Sequence, residues 1–310
     1  MRAAYLGPPG TNSHDALVAA GLDAEQVALP TVEAVVQAVQ GGAVERGMVP
    51  IENSREGAVA GTLDALVFDA PDVVIVGELV QGITYCLAGA EPIAPDEVRT
   101  VHSHPQALGQ CAAFLREQLP GAALVAEPST ADAVRAVAER SDLAGAEPHA
   151  AIGTRHAARL YGATILAEGI EDDPDNATRF ALLANATQGS DRQASQGSEP
   201  HAAAIESPST TSGSDPTAST QPVRFKTALV FWGGGDLQPG WLVDCLTELS
   251  SRAISLTRIE SRPRRIGLGH YMFFCDLVGA ASNPEVAAAI AGLRGHCEAV
   301  RVLGSFPVAA

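Results

Sequence analysis

Apolar residues recur in short bursts along the first 185 positions, each burst closed by a polar or glycine-bearing turn. Runs such as Ala3–Leu6, Gln26–Leu29, Gly47–Ile51, Val73–Leu79, Thr84–Ala88, Val98–His102, Ala150–Gly153 and Arg179–Leu183 have the length of buried strands. Helical spacing fills the intervals. Val32, Val35, Val36 and Val39 share one face behind a Thr31 cap, and Ser129 with Asp132 resembles a capping box opening a helix through Ala138. This alternation predicts an α/β fold with a mostly parallel sheet and helices on both faces. A second cluster of strands from Val98 onward predicts two lobes with a cleft between them. Beyond residue 223 the pattern is β-α-β-β-α-β. It runs through Lys226–Trp232, a helix opened at Pro239, Ile254–Ile259, His270–Val278, a helix capped by Asn283, and Ala299–Leu303. That order is ferredoxin-like. Between the blocks, Ala186 to Pro222 carries Ile205 as its single large apolar side chain. Such a segment cannot bury enough surface to offset its ordering entropy and is expected to be a flexible linker. The expected organisation is a two-lobed block over 1–185, a linker over 186–222 and a small module over 223–310.

Composition narrows the function. Hydrophobic residues make up 46% and charged ones 18%, as in a globular domain with ample core. Lys and Arg total 20 against 36 Asp and Glu, a formal charge of −16. That balance excludes a nucleic-acid or anionic-membrane partner, and at long range it repels anions. An anionic ligand would have to be held by local donors such as helix N-termini and hydroxyls. The five cysteines are scattered, with no Cys-x-x-Cys pair, which reads as reduced thiols and a cytoplasmic setting. No apolar run reaches membrane-spanning length, and Ala3–Leu6 leaves no room for a signal core before it.

The candidate chemistry lies in separate segments. Gly7-Pro8-Pro9-Gly10-Thr11-Asn12-Ser13-His14 forms a glycine-bearing strand-to-helix turn. It lacks the lysine that a nucleotide-binding loop requires, so it reads as a carboxylate or phosphate cradle, or simply as a tight turn. Val49–Gly57 runs an apolar strand out into Glu52, Asn53 and Ser54. In Val101–Cys111, Ser103 can cap a helix starting near Pro105, with Gln110 two turns on. His102 and His104 have no third ligand spaced near them, so no metal site is expected. Thr178-Arg179-Phe180 delivers a hydroxyl and a guanidinium to the start of a buried strand.

Taken together and in order, Gly7–Ser13, Val49–Gly57, Ser103–Cys111 and Thr178–Phe180 resemble segments of the prephenate dehydratases. Leu256-Thr257-Arg258-Ile259-Glu260-Ser261-Arg262-Pro263 resembles the ACT regulatory module of the same enzymes. The resemblance covers nearly the whole chain outside the linker, in the monofunctional form without a preceding chorismate mutase segment. It implies a cofactor-free lyase that converts prephenate to phenylpyruvate. Thr178, Asn53 and Glu127 would be its catalytic residues, and Thr11, Ser13, Ser103, Gln110, Arg179 and Phe180 its substrate contacts. It also implies L-phenylalanine regulation at Gly240, Trp241, Leu242 and Glu260–Pro263 (Glu260, Ser261, Arg262, Pro263), and a homodimer or homotetramer joined through ACT modules. Trp241 departs from the small alanine usual at that turn, which alters the expected pocket. A cyclohexadienyl (arogenate) dehydratase and a non-catalytic amino-acid-binding regulator remain alternatives.

Overall fold

The computed structural model describes residues 1–139, 148–187, 224–235 and 238–308. The chain begins with β1 (Arg2–Leu6), α1 (Asn12–Ala19), β2 (Glu25–Leu29), α2 (Val32–Gln40), β3 (Arg46–Asn53), β4 (Gly57–Ala58), α3 (Ala60–Phe68) and β5 (Val73–Gly82). It crosses into β6 (Cys86–Gly89), β7 (Thr100–Ser103), α4 (Pro105–Gln110), α5 (Ala112–Gln118), β8 (Ala123–Ala126), α6 (Thr130–Ala138), β9 (His149–Gly153), α7 (Arg155–Tyr161) and β10 (Thr164–Glu168). It then returns as β11 (Ala177–Asn185). The C-terminal module holds β12 (Phe225–Trp232), α8 (Trp241–Ser250), β13 (Leu256–Pro263), β14 (Tyr271–Val278), α9 (Pro284–His296) and β15 (Ala299–Pro307). The expected linker lies outside the described residues apart from Ala186 and Thr187.

Two lobes form as the apolar pattern requires, but their sheets are mixed, not mostly parallel. The first sheet runs β2-β1-β3-β11-β5, with β4 added on β3; the second runs β10-β6-β9-β7-β8. In the first, β1 pairs in parallel with β2 and β3, while β11 is antiparallel to both β3 and β5. The antiparallel strand is the one that returns from the second lobe. The second lobe therefore starts at Cys86, not at Val98, and is inserted between β5 and β11. The chain crosses the lobe boundary twice, at residues 83–85 and 171–176, and Ile83 N–H donates to the Asn176 carbonyl to join the crossings at 2.8 Å. Thr178 begins the strand immediately after the second crossing.

Helix starts follow local chemistry. Thr11, Thr31 and Ser129 each accept a backbone N–H as N-caps. Two expectations fail here. His104, not Ser103, caps α4, because Ser103 Oγ is turned inward and donates to the Ile152 carbonyl at 2.7 Å. The helix expected to open at Pro239 begins at Trp241, with Gly240 in the left-handed region at φ 90°.

The C-terminal sheet, order β13-β14-β12-β15, is antiparallel throughout and has the ferredoxin-like arrangement. One face carries α8 and α9 over Leu229, Phe231, Cys245, Leu277 and Leu293. The other face lies against the first lobe. Ala228, Val230, Met272, Phe274, Leu303 and Phe306 join Ile51, Leu66, Ile75 and Leu183 in one continuous core. Gly304 sits so close to β5 that a side chain there would collide with the Ile75 carbonyl. Arg301 reaches over to donate to the carbonyls of Leu66, Ala70 and Val73. The module is thus packed onto the first lobe along a whole sheet face, beyond its covalent attachment.

Candidate active site

A cavity of about 510 Å³ lies between the lobes. Its walls include Leu6, Gly7, Thr11, Asn12 and Ser13 at the first turn, and Asn53, Glu56 and Gly57 at the end of β3. Ile83 and Tyr85 come from one crossing, and Thr178 and Phe180 from β11. The second lobe adds His104, Gln106, Ala107 and Gln110 from the start of α4, and Pro128, Ser129 and Thr130 from the start of α6. The N-terminal ends of α1, α4 and α6 thus open into one space, and Ala58 and Val59 bring the start of α3 to the same wall. Each carries unpaired backbone N–H groups and the positive end of its dipole. Among the described residues neither lysine nor arginine lines the cavity; the titratable side chains there are Glu56, His104 and Tyr85.

At the centre, β3 and β11 place Asn53 directly opposite Thr178. Asn53 Nδ2 donates to Thr178 Oγ1 at 2.9 Å and to Asn176 Oδ1 at 3.0 Å. Its carbonyl end is pinned by the Arg55 and Glu56 amides, at 3.0 and 3.1 Å, so the amide cannot turn over. Asn176 Nδ2 in turn donates to Gln110 Oε1 at 3.3 Å, carrying the network into the second lobe. Thr178 and Asn53 are both buried beneath the cavity surface. Burial pushes the Tyr85 phenol up to about 12, so it stays neutral across the working pH range, with the Asn12 side chain hydrogen-bonded to its oxygen.

The first turn is held from both lobes. Thr11 Oγ1 donates to the Leu6 carbonyl at 2.8 Å, and the Gly10 N–H donates to His14 Nδ1 at 3.0 Å. From the second lobe, Thr154 Oγ1 donates to the Gly10 carbonyl at 3.0 Å and the Tyr161 hydroxyl to the Pro9 carbonyl at 2.8 Å. His14 is buried, stacked 4.5 Å from Tyr5, and shifted down first by burial. It is neutral and can accept from the loop.

Thr11, Ser13, Asn53, Gln110, Thr178 and Phe180, all expected from sequence, meet in this one cavity. Ser103, Glu127 and Arg179 do not line it. Ser103 is spent on Ile152, and the Glu127 carboxylate pairs with His102 Nδ1 at 2.9 Å behind the wall. Arg179 alternates to the opposite face of the sheet from Thr178 and donates to Asp276 of the C-terminal module at 2.5 Å. Sequence reading missed Asn12, Glu56, Tyr85 and Asn176. Asn12 and Glu56 stand inside segments already singled out. Tyr85 and Asn176 flank the lobe crossings, and only the twofold crossing reveals that these two loops share a site.

A second, smaller cavity of about 190 Å³ lies in the C-terminal module, lined by Gln238, Gly240, Trp241, Leu242, Val243, Gly269, Tyr271 and Phe273. Trp241 is buried, its Nε1 donates to the His296 carbonyl at 2.8 Å, and its ring packs on Phe231 and Phe273. It forms a wall and does not fill the space. Glu260–Pro263 do not line this cavity in the single chain. They lie on edge strand β13, and Arg262 is turned to Asp64 of α3, at 2.9 and 3.1 Å.

The sequence profile of the prephenate dehydratase family matches residues 3–188. A prephenate dehydratase of Mycobacterium sp. (strain JLS) is 37% identical over 318 residues, covering 99% of this chain and 89% of the relative. The crystal structure of a prephenate dehydratase from Arthrobacter aurescens in complex with L-Phe superposes with a TM-score of 0.78 at 32% identity, covering 99% of this chain and 90% of that one. A structure described as GqqA, a novel type of quorum quenching acylase, reaches the same TM-score at 27% identity, covering 99% of this chain and 98% of that one. With the profile spanning both lobes and the relatives extending through the C-terminal module, the chain belongs to the prephenate dehydratase family.

Proposed function

We propose that the inter-lobe cavity binds prephenate and converts it to phenylpyruvate, carbon dioxide and water. The observation that carries this reading is the Asn53–Thr178 pair at the centre of a cavity that no described lysine or arginine lines and that several helix N-termini feed. Prephenate is a dianion. Amide groups at the starts of α1, α4 and α6 can hold its carboxylates without burying a guanidinium. Decarboxylation pushes an electron pair into the ring as the ring C–O bond breaks, and the departing oxygen must take a proton. Nothing is oxidised or reduced, and the ring becomes aromatic. Because Asn53 donates to Thr178 Oγ1, one lone pair of that oxygen is occupied and its own hydrogen is left to point at the leaving group. Thr178 is therefore a fixed donor to the developing hydroxide, and Tyr85 is a second neutral donor in the same wall. A threonine paired with an amide suits donation. Among the described residues the hydrogen bond to Thr178 Oγ1 comes from the Asn53 amide and not from an imidazole, which is not the arrangement that activates the nucleophile an acylase needs.

The small cavity of the C-terminal module is the proposed L-phenylalanine site. Val243 and Tyr271 in its wall are exposed apolar side chains, and Ile266 and Leu268 are exposed in the turn between β13 and β14. That surface supports pairing with a second copy in a homodimer or homotetramer, and such pairing would bring another chain's Glu260–Pro263 to the open mouth. The cytoplasm is the proposed location. The deciding experiment is incubation of purified protein with prephenate, reading phenylpyruvate by its ultraviolet absorbance in alkali, with arogenate in parallel. Turnover of prephenate is expected; binding without turnover would leave an amino-acid sensor.

A further inference from the structure

The face of β11 turned away from the cavity has its own organisation. In the β3–β11 ladder Thr178 pairs with Asn53 and Arg179 with Glu52. Alternation sends the first pair into the cavity and the second toward the C-terminal sheet. Arg179 Nη2 lies 2.5 Å from Asp276 Oδ2, its Nε 3.3 Å from Glu52 Oε2, and its Nη1 3.5 Å from Glu78 Oε2. Asp276, fully buried on β14, also receives Arg258 Nε at 3.0 Å. Lys226 of β12 donates to Glu78 of β5 at 2.9 Å. Arg179, Arg258 and Lys226 thus face Glu52, Glu78 and Asp276 in a charge-balanced cluster between lobe and module, buried at Glu78 and Asp276 and open to solvent at Glu52. Burial favours the uncharged form of Asp276, but the guanidiniums of Arg258 and Arg179 override it and keep the carboxyl below its ordinary range.

The ladder is irregular at this point. Its register shifts between Arg179 and Phe180, which pair with Glu52 and Pro50 and leave Ile51 without an opposite residue. A bulge of this kind re-aims side chains and interrupts the hydrogen bonds that would otherwise fix the strand end. β5 holds β11 in regular register through Thr178–Gln81 and Arg179–Val80, so what remains is to secure Thr178 on the β3 side, over Asn53. The buried tie from Arg179 to Asp276, one residue away, is positioned to do so. The strand at its far end, β14, starts at Tyr271 and Phe273, two walls of the module's small cavity, and reaches Asp276.

Resting on the dehydratase reading of the cavity, we propose that Arg179 is a positioning residue through which Asp276 of the C-terminal module fixes the placement of Thr178 and Asn53, making the module part of the turnover machinery. Ligand loading of the small cavity then acts on Thr178 along β14.

The test uses the full chain. Prephenate titrations are run on wild type, Asp276→Asn, Arg179→Met, Arg179→Lys and the double variant Arg179→Met/Asp276→Leu, with melting temperatures alongside. Either single loss should lower kcat about 10- to 100-fold, as displacement of a reacting group by about 1 Å does, with KM within about threefold. The double variant should be no worse than the poorer single, because both remove the same tie. Arg179→Lys should recover part of kcat. Independently of activity, amide exchange at residues 177–180 should quicken in Asp276→Asn while β12 keeps its protection. Folded variants with wild-type kcat and unchanged exchange would overturn the proposal. So would losses that multiply in the double variant, or an effect confined to KM, which would return Arg179 to substrate contact. A wild type that binds but does not turn over prephenate would overturn the dehydratase reading instead, and the exchange measurement would still decide whether Asp276 holds the strand end.

Discussion

The two faces of the β3–β11 pair are built from the same eight or nine residues of each strand and could hardly differ more. The cavity face presents Asn53, Thr178 and backbone amides, with no cation. The module face presents Arg179 among Glu52, Glu78 and Asp276, flanked by apolar core. In this acidic chain the cations nearest the cavity are committed to joining domains, and the proposed anionic substrate would be met by neutral donors. The reason is energetic. A buried guanidinium needs a carboxylate partner at all times, so one facing an empty cavity would be left uncompensated between turnovers. Amides at helix ends keep their dipole whether or not a ligand is present.

The sharpest test of that contrast is Thr178→Val, which keeps shape and removes the donor. A fall in kcat of about 10²-fold or more is expected, with KM and melting temperature little changed. A large loss of melting temperature with a normal rate per folded molecule would move Thr178 to the structural side. Asn53→Leu should behave similarly in kcat and also raise KM, because it frees the Arg55 and Glu56 amides that Asn53 now engages. On the module face, Gly304→Val forces a side chain into the Ile75 carbonyl. It should lower the melting temperature by at least about 3 °C through overpacking. An unchanged melting temperature would mean the module does not rest on β5 in solution.

Acid offers a gentler probe. The folded Asp276 carboxyl titrates below its unfolded value of about 3.9, so its stabilising contribution is complete above that pH and is lost as the pH falls through the lower, folded value. The melting-temperature gap between wild type and Asp276→Asn should therefore be widest near pH 5 and narrow below pH ~4. A gap independent of pH would show that the pair is not ionised. The smallest effect is expected from Trp241→Phe, which keeps the aromatic wall but loses the bond to the His296 carbonyl. The L-phenylalanine midpoint, read by titration calorimetry, should move by less than about tenfold. A complete loss of binding would make Trp241 a direct ligand contact.

Much of this was legible in the sequence. Strand lengths, the Thr31 and Ser129 caps and the ferredoxin-like order follow from periodicity and turn chemistry, which are local. Placement of Arg179, Ser103 and Glu127 was not legible, because which side of a wall a side chain faces depends on strand alternation and on what packs behind. Arg179 is one residue from Thr178, and that single step moves it through the sheet. Tyr85 and Asn176 were missed for a topological reason: nothing in a linear reading shows that residues 83–85 and 171–176 are adjacent crossings. The shared core between lobe and module was likewise hidden. Val230, Met272 and Phe274 read as ordinary strand residues, and nothing in their spacing says that the face they occupy is covered by another domain. A fragment ending near Ala186 would uncover that face, so it should be less soluble and less active than two independent blocks would predict.

The late return of β11 also sets a timetable for synthesis. This strand is central in its sheet, between β3 and β5, yet it follows the whole second lobe in the chain. On the ribosome, β3 and β5 therefore wait with unsatisfied edges while about a hundred residues emerge, an interval of roughly 5–20 seconds at ordinary elongation rates. Open edges are sites of wrong pairing between nascent chains. The strand that ends this exposure is the same one that carries Thr178, so the lobe's sheet is sealed and Thr178 set opposite Asn53 in a single event. A translation product that stops before β11 lacks Thr178 altogether.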